Sequence, residues 1–83
     1  MTRDEIREVV LRVLGRIAPE TDLNAIDPVV SLRDQLDIDS VDFLNFVIGL
    51  HKELRVEIPD ADVSKLSSLD GCVNYLVSRS TAS

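Results

Sequence analysis

Apolar side chains recur with a helical period in three stretches of the chain. Ile6, Val9, Val10, Val13, Leu14 and Ile17 follow i, i+3, i+4, i+7, i+8, i+11, one face of an amphipathic helix. Arg3, Arg7, Glu8, Arg12 and Arg16 fall off that stripe. Thr2 is the expected N-cap, Asp4 and Glu5 sit in the favourable first turn, and Pro19 stops the run. The pattern predicts a helix over residues 2–17. A second helix is predicted over 40–54, where Leu44, Val47 and Leu50, with Phe43 and Leu54, form one stripe. Val41, Phe46 and Ile48 widen it, leaving a narrow polar side of Asp42, Asn45, Lys52 and Glu53. A helix this apolar buries most of its girth or offers part of it to a ligand or partner. Leu69, Cys72, Val73, Leu76 and Val77 repeat the helical spacing once more, behind a cap at Ser67 or Ser68.

Residues 18–39 contain two prolines and no sustained period, an unusually long connection for a small domain and of a kind that is often functional. Leu23, Ile26, Val29, Val30, Leu32 and Leu36 are expected to pin it to the core, with a short helical turn near 31–35. Further on, "RVEIPDADV" breaks the helical pattern. Pro59 ends one element, and Asp60 is positioned to cap a short helix near 60–65. The sum is an all-α fold, a four-helix bundle of three long helices and one short helix with a long first loop. One domain is expected over 1–79, with 80–83 a frayed C-terminal tail.

Composition narrows the function classes. The chain has 83 residues, 45% of them hydrophobic and 29% charged, which suits a small globular domain and not a disordered segment. A net charge of −6 argues against a nucleic-acid backbone as partner and favours docking to basic protein surfaces. The single cysteine excludes an intramolecular disulfide and a multi-cysteine zinc site. The charged start, "MTRDEIREVV", is unlike a signal peptide, and no apolar run approaches a membrane span. A monomer in the cytoplasm, without stable membrane insertion, is the expectation.

Candidate chemistry concentrates in "LDIDSVDF", where Asp37, Asp39 and Asp42 surround Ser40 with almost no base nearby. A calcium loop does not fit. Counted from Asp37, the sixth position is Asp42 where glycine belongs, and the twelfth is Ile48 where glutamate belongs. A serine hydrolase fails on distance. The only histidine, His51, stands eleven residues after Ser40, roughly 16 Å away along one helix. Cys72, on the apolar stripe of the last helix, reads as buried and inert. Two readings of Ser40 stay open from the residues alone. It is a helix N-cap, as Asp39 also could be, or it carries a group attached by another enzyme, since a helix start favours a phosphate.

From Leu32 to Val77 the chain resembles the acyl carrier proteins. The Asp-Ser-Leu signature of that family stands here as Asp39-Ser40-Val41, and its "EIPD" segment as Glu57-Ile58-Pro59-Asp60. The resemblance implies a non-enzymatic carrier whose cofactor is 4′-phosphopantetheine, attached covalently to Ser40 from coenzyme A by a phosphopantetheinyl transferase. The arm's thiol would then hold acyl intermediates as thioesters for acyl-loading and acyl-processing enzymes. Asp39 would set the start of the helix and Val41 would meet partners or the arm, while Asp42, Asn45, Ile48, His51 and Lys52 are the implied partner-facing positions. Two departures stand out. Family members often read Asp-Leu-Gly-x-Asp-Ser, and here Asp37 replaces the glycine, so the loop before Ser40 is expected to differ. Asn45, His51 and Lys52 stand where fatty-acid carriers are often acidic, which points to a specialised lipid, fatty-acid or polyketide pathway. A peptidyl or aminoacyl carrier and an unmodified helical adaptor between proteins are the alternatives.

Overall fold

A computed structural model describes residues 2–80, the side chain of Ser80 excepted. Four α-helices follow one another, α1 (Arg3–Ile17), α2 (Leu32–Leu36), α3 (Ser40–Leu54) and α4 (Leu69–Ser80), with a 3₁₀ turn at Leu23–Ala25 and a 3₁₀ helix at Asp60–Leu66. No strand occurs among the described residues. Of the expected tail 80–83, Ser80 is the last residue of α4, and 81–83 lie outside the described residues.

Helix α1 starts with a reciprocal capping box. Thr2 Oγ1 accepts from the Glu5 amide at 3.2 Å, and the Thr2 amide donates to Glu5 Oε1 at 2.8 Å. Those hydrogen bonds from Thr2 hold the Glu5 carboxyl below its ordinary pKa. The predicted stripe is buried, with Ile6, Val9, Val10, Val13 and Leu14 all in the core. Helix α1 packs against both α3 and α4. At the α1–α3 contact the two backbones come close because α3 has a glycine there. A Cβ added to Gly49 would stand 2.6 Å from Val13 Cγ1, and Val13 is buried and β-branched. Alanine is intrinsically the better helix former by about 1 kcal/mol, but overpacking of this kind costs about 1–3 kcal/mol. Gly49→Ala is therefore expected to lower the urea midpoint of unfolding; an unchanged or raised midpoint would show that the two helices can part at no cost. Outside this contact, Arg16 Nη1 donates to Glu53 Oε1 at 2.8 Å, tying the exposed edges of α1 and α3.

The long connection after α1 is held differently from the expectation. Ile26 and Leu32 are buried, and Leu23 and Leu36 pack against the core, but Val29 and Val30 are 73% and 40% exposed. Polar groups do their work. The Gln35 side chain accepts from the Asp27 amide at 3.0 Å and donates to the carbonyls of Asp27 and Val30 at 2.9 and 3.0 Å. Two backbone hydrogen bonds then fasten this segment to the start of α4, Leu32 N to Ser67 O at 2.7 Å and Asp70 N to Pro28 O at 2.9 Å. Unpaired backbone groups are costly when shielded from water, so these bonds fix where the loop can lie.

Between α3 and α4 the 3₁₀ helix is the short element foreseen after Pro59, with one correction. Its N-cap is Pro59, and Asp60 is its first residue instead of its cap. Polar side chains help tie it to α4. Asp62 accepts from Tyr75 Oη at 2.6 Å and from Arg79 Nη2 at 2.9 Å, with Lys65 Nζ at 3.3 Å from its other oxygen. The Tyr75 and Arg79 hydrogen bonds lower the Asp62 pKa. Of the two candidate caps for α4, Ser68 accepts from the Gly71 amide at 3.0 Å. Cys72 is fully buried, and its Sγ meets the Leu66 carbonyl at 3.1 Å. Burial pushes its thiol pKa up to about 12, so the inert reading of this residue stands.

Candidate functional site

Ser40 is the first residue of α3 and is exposed. It does not cap the helix. Asp39, one residue earlier, takes the extended N-cap conformation, and its Oδ1 accepts from the Asp42 amide at 2.8 Å. The short carboxylate at that register satisfies an amide that has no partner within the helix and carries its charge at the positive end of the helix dipole. The Asp39 side chain therefore does the capping, and the hydroxyl one position on is left for other work. Of the two readings open from the residues, N-capping by Ser40 is removed.

The loop that delivers Ser40 turns at Asp37, which closes α2 with φ 53° and ψ 44°. This is the left-handed region that glycine enters at least cost, and Asp and Asn tolerate it better than most other side chains. The loop before Ser40 thus turns on a left-handed aspartate at a position where the family pattern often has glycine.

The surroundings hold one cation that the sequence pattern did not single out. Arg33, on α2, donates from Nη2 to Ser40 Oγ at 3.0 Å. Both side chains belong to exposed residues, so the contact is accessible from solvent. The signal that could have found Arg33 is its isolation, because no other lysine or arginine occurs between positions 17 and 50. His51 sits in the last turn of the same helix as Ser40 and is engaged there, its Nδ1 donating to the Val56 carbonyl at 2.8 Å. It belongs to the other end of α3 and is not brought to Ser40. No group of three or more metal-ligating side chains assembles among the described residues.

Helix α3 divides its apolar residues between two faces. Phe43, Phe46, Val47 and Leu50 are buried, whereas Val41, Leu44 and Ile48 are 65%, 51% and 41% exposed. Leu44, expected on the core stripe, exchanges roles with Phe46, because a helix apolar on all sides leaves periodicity unable to choose the buried face. The exposed set runs away from Ser40 beside Asn45, His51 and Lys52, which are exposed too, and Asp42, which is half-buried. Leu44, Val47, Ile48 and His51 also form one wall of a shallow groove of about 240 Å³, lined on the other side by Ile58 and by Val63 of the 3₁₀ helix.

The arrangement can present a hydroxyl without activating it. Among the described residues no carboxylate or imidazole accepts a hydrogen bond from Ser40 Oγ, and its side-chain partner, Arg33, is a donor. An anionic group attached at Oγ fits, since it would stand beside a guanidinium and at a helix start.

The comparisons with known proteins follow the same lines. A family model described as "Phosphopantetheine attachment site" matches residues 4–76. An acyl carrier protein of Campylobacter fetus subsp. fetus is 34% identical over 73 residues, covering 88% of this chain and 88% of its own length. One of Rubrobacter xylanophilus is 29% identical over 79 residues, covering 92% and 98%. Among solved structures, an acyl carrier protein from Enterococcus faecalis superposes with a TM-score of 0.81 at 28% identity, covering 95% of this chain and 99% of its own.

Proposed function

We propose, since the chain belongs to the acyl carrier protein family, that Ser40 Oγ is the atom through which it holds its cofactor. The protein is a carrier and not an enzyme, and the cofactor is covalently attached 4′-phosphopantetheine. One observation carries the choice of Ser40. Its hydroxyl is exposed at the first position of α3 while Asp39 takes over the capping, so modification costs the helix no hydrogen bond of its own. In the loading step Ser40 Oγ forms a bond to phosphorus, a P–O bond in the pyrophosphate of coenzyme A breaks, and adenosine 3′,5′-bisphosphate leaves. The hydroxyl proton passes to a base of a separate phosphopantetheinyl transferase, because among the described residues none accepts from Ser40 Oγ. When bound, the arm supplies a terminal thiol that holds an acyl group as a thioester.

The finer proposal concerns the pathway. Fatty-acid carriers dock through acids spread along the helix that follows the serine. Here the exposed face of that helix combines Val41, Leu44 and Ile48 with Asn45, His51 and Lys52, and its acids are Asp42 near the start and Glu53 near the end, the latter already paired with Arg16 of α1. Such a face suits acyl-loading and acyl-processing partners whose docking sites are less basic and more apolar, and the groove beside Ile48 suits an acyl chain. We therefore assign the protein to a specialised lipid, fatty-acid or polyketide pathway in the cytoplasm. The test is reconstitution. The loaded protein, supplied to purified fatty-acid synthase enzymes, is expected to support chain elongation at least about tenfold more slowly than a housekeeping carrier, equivalent to about 1.4 kcal/mol of docking energy. Equal rates would remove the specialised reading and leave the carrier reading intact.

A further inference from the structure

Between positions 17 and 50 the chain has seven carboxylates and one basic residue, Arg33. A guanidinium in such company has many acids to pair with, yet Arg33 forms no ion pair among the described residues. It donates instead to the neutral hydroxyl of Ser40, across the junction of α2 and α3. One hydroxyl occupies little of what a guanidinium offers, which is five N–H donors in a planar fork that matches phosphate oxygens two at a time. Esterification at Oγ would put two non-bridging oxygens, sharing one negative charge, two bonds beyond the present acceptor. Asp34 and Asp37 line the hollow beside Arg33, so a phosphate is drawn to the guanidinium and repelled from the rest of that hollow. We propose that Arg33 is a positioning residue that clamps the phosphodiester of the phosphopantetheine arm against the α2–α3 junction, restricting the directions in which the arm leaves Ser40.

The inference rests on the reading that Ser40 bears the arm, and the test separates the two. Wild-type protein is loaded from coenzyme A with a broad-specificity transferase, and loading is checked by intact mass. Arginine side-chain ¹⁵N–¹H spectra are then compared before and after loading, together with the ³¹P spectrum of loaded wild type, Arg33→Gln and Arg33→Lys. Loading is expected to shift the Arg33 Nε and Nη signals. The ³¹P signal of Arg33→Gln is expected to move to the position of a free pantetheine phosphodiester, with Arg33→Lys in between. The wild-type difference should fade as salt is added, because an exposed ion pair is screened over about 8 Å at physiological ionic strength. Loading by mass with unchanged Arg33 signals, or with one ³¹P position shared by wild type and Arg33→Gln, would overturn the clamp alone. Absence of the mass shift from folded wild type would overturn the Ser40 reading and the clamp with it. The wild-type comparison decides the matter even if a variant fails to fold.

Discussion

Replacing Ser40 by alanine is expected to abolish loading completely while leaving the fold in place. The two halves of that expectation have separate causes. Loading needs an oxygen nucleophile at this register, and alanine removes it without providing another. Stability hardly changes, because Ser40 is exposed and the α3 cap belongs to Asp39. Alanine removes one exposed hydrogen bond from Arg33, in the class that contributes about 0–1 kcal/mol. Alanine is also the better residue inside a first turn. In measured terms, the wild type gains the mass of one phosphopantetheine from coenzyme A and a transferase, Ser40→Ala gains none, and their thermal midpoints agree within a few degrees. A Ser40→Ala protein that still gains the full mass would place the attachment elsewhere. One that unfolds would show that the hydroxyl supports the fold as well.

The largest expected effect on stability comes from Phe46, nearly two turns further along the same helix. Its side chain is wholly buried in the shared core of α1, α3 and α4, and its ring lies 6.0 Å from that of Phe43 at 44°. Truncation of a buried phenylalanine to alanine costs about 3–5 kcal/mol. A domain of 83 residues has only roughly 4–12 kcal/mol of net stability. Phe46→Ala is therefore expected to lower Tm by roughly 12 °C or more, and to abolish loading where the α3 scaffold melts. Ile48→Ala is the control on the same helix, since Ile48 is 41% exposed and its truncation should cost under about 1 kcal/mol. Similar shifts for the two variants would contradict the buried and exposed faces assigned to α3.

These two residues also show what the amino-acid order could and could not reveal. The bounds of α3, Ser40–Leu54, were legible because a capping residue stands at one end and a polar, proline-bearing segment follows the other. Its buried face was not, since Leu44 and Phe46 are equally apolar and only the packing partner selects between them. The register of the cap was ambiguous for a related reason. Asp39 and Ser40 are both good N-caps, and one residue of difference decides whether the serine is occupied or available. Val29 and Val30 were expected to anchor the first loop by hydrophobic contact, yet Gln35 and two backbone hydrogen bonds to the start of α4, Leu32 to Ser67 and Asp70 to Pro28, hold it. Such bonds join positions far apart in the chain and leave no periodic trace. Arg33 was illegible for the same reason, because its partner is seven positions away on another helix. The family pattern singled out Ser40 in advance, but it could not say that Asp37 would take up a left-handed turn.

Tandem mass spectrometry of the loaded wild-type protein tests the central claim most directly. After incubation with coenzyme A and a phosphopantetheinyl transferase, one arm per chain is expected, on the peptide that contains Asp39-Ser40-Val41, with fragment ions assigning it to Ser40. An arm found on any other residue, or no arm on the folded protein, would contradict the account, and the latter result would favour an unmodified adaptor.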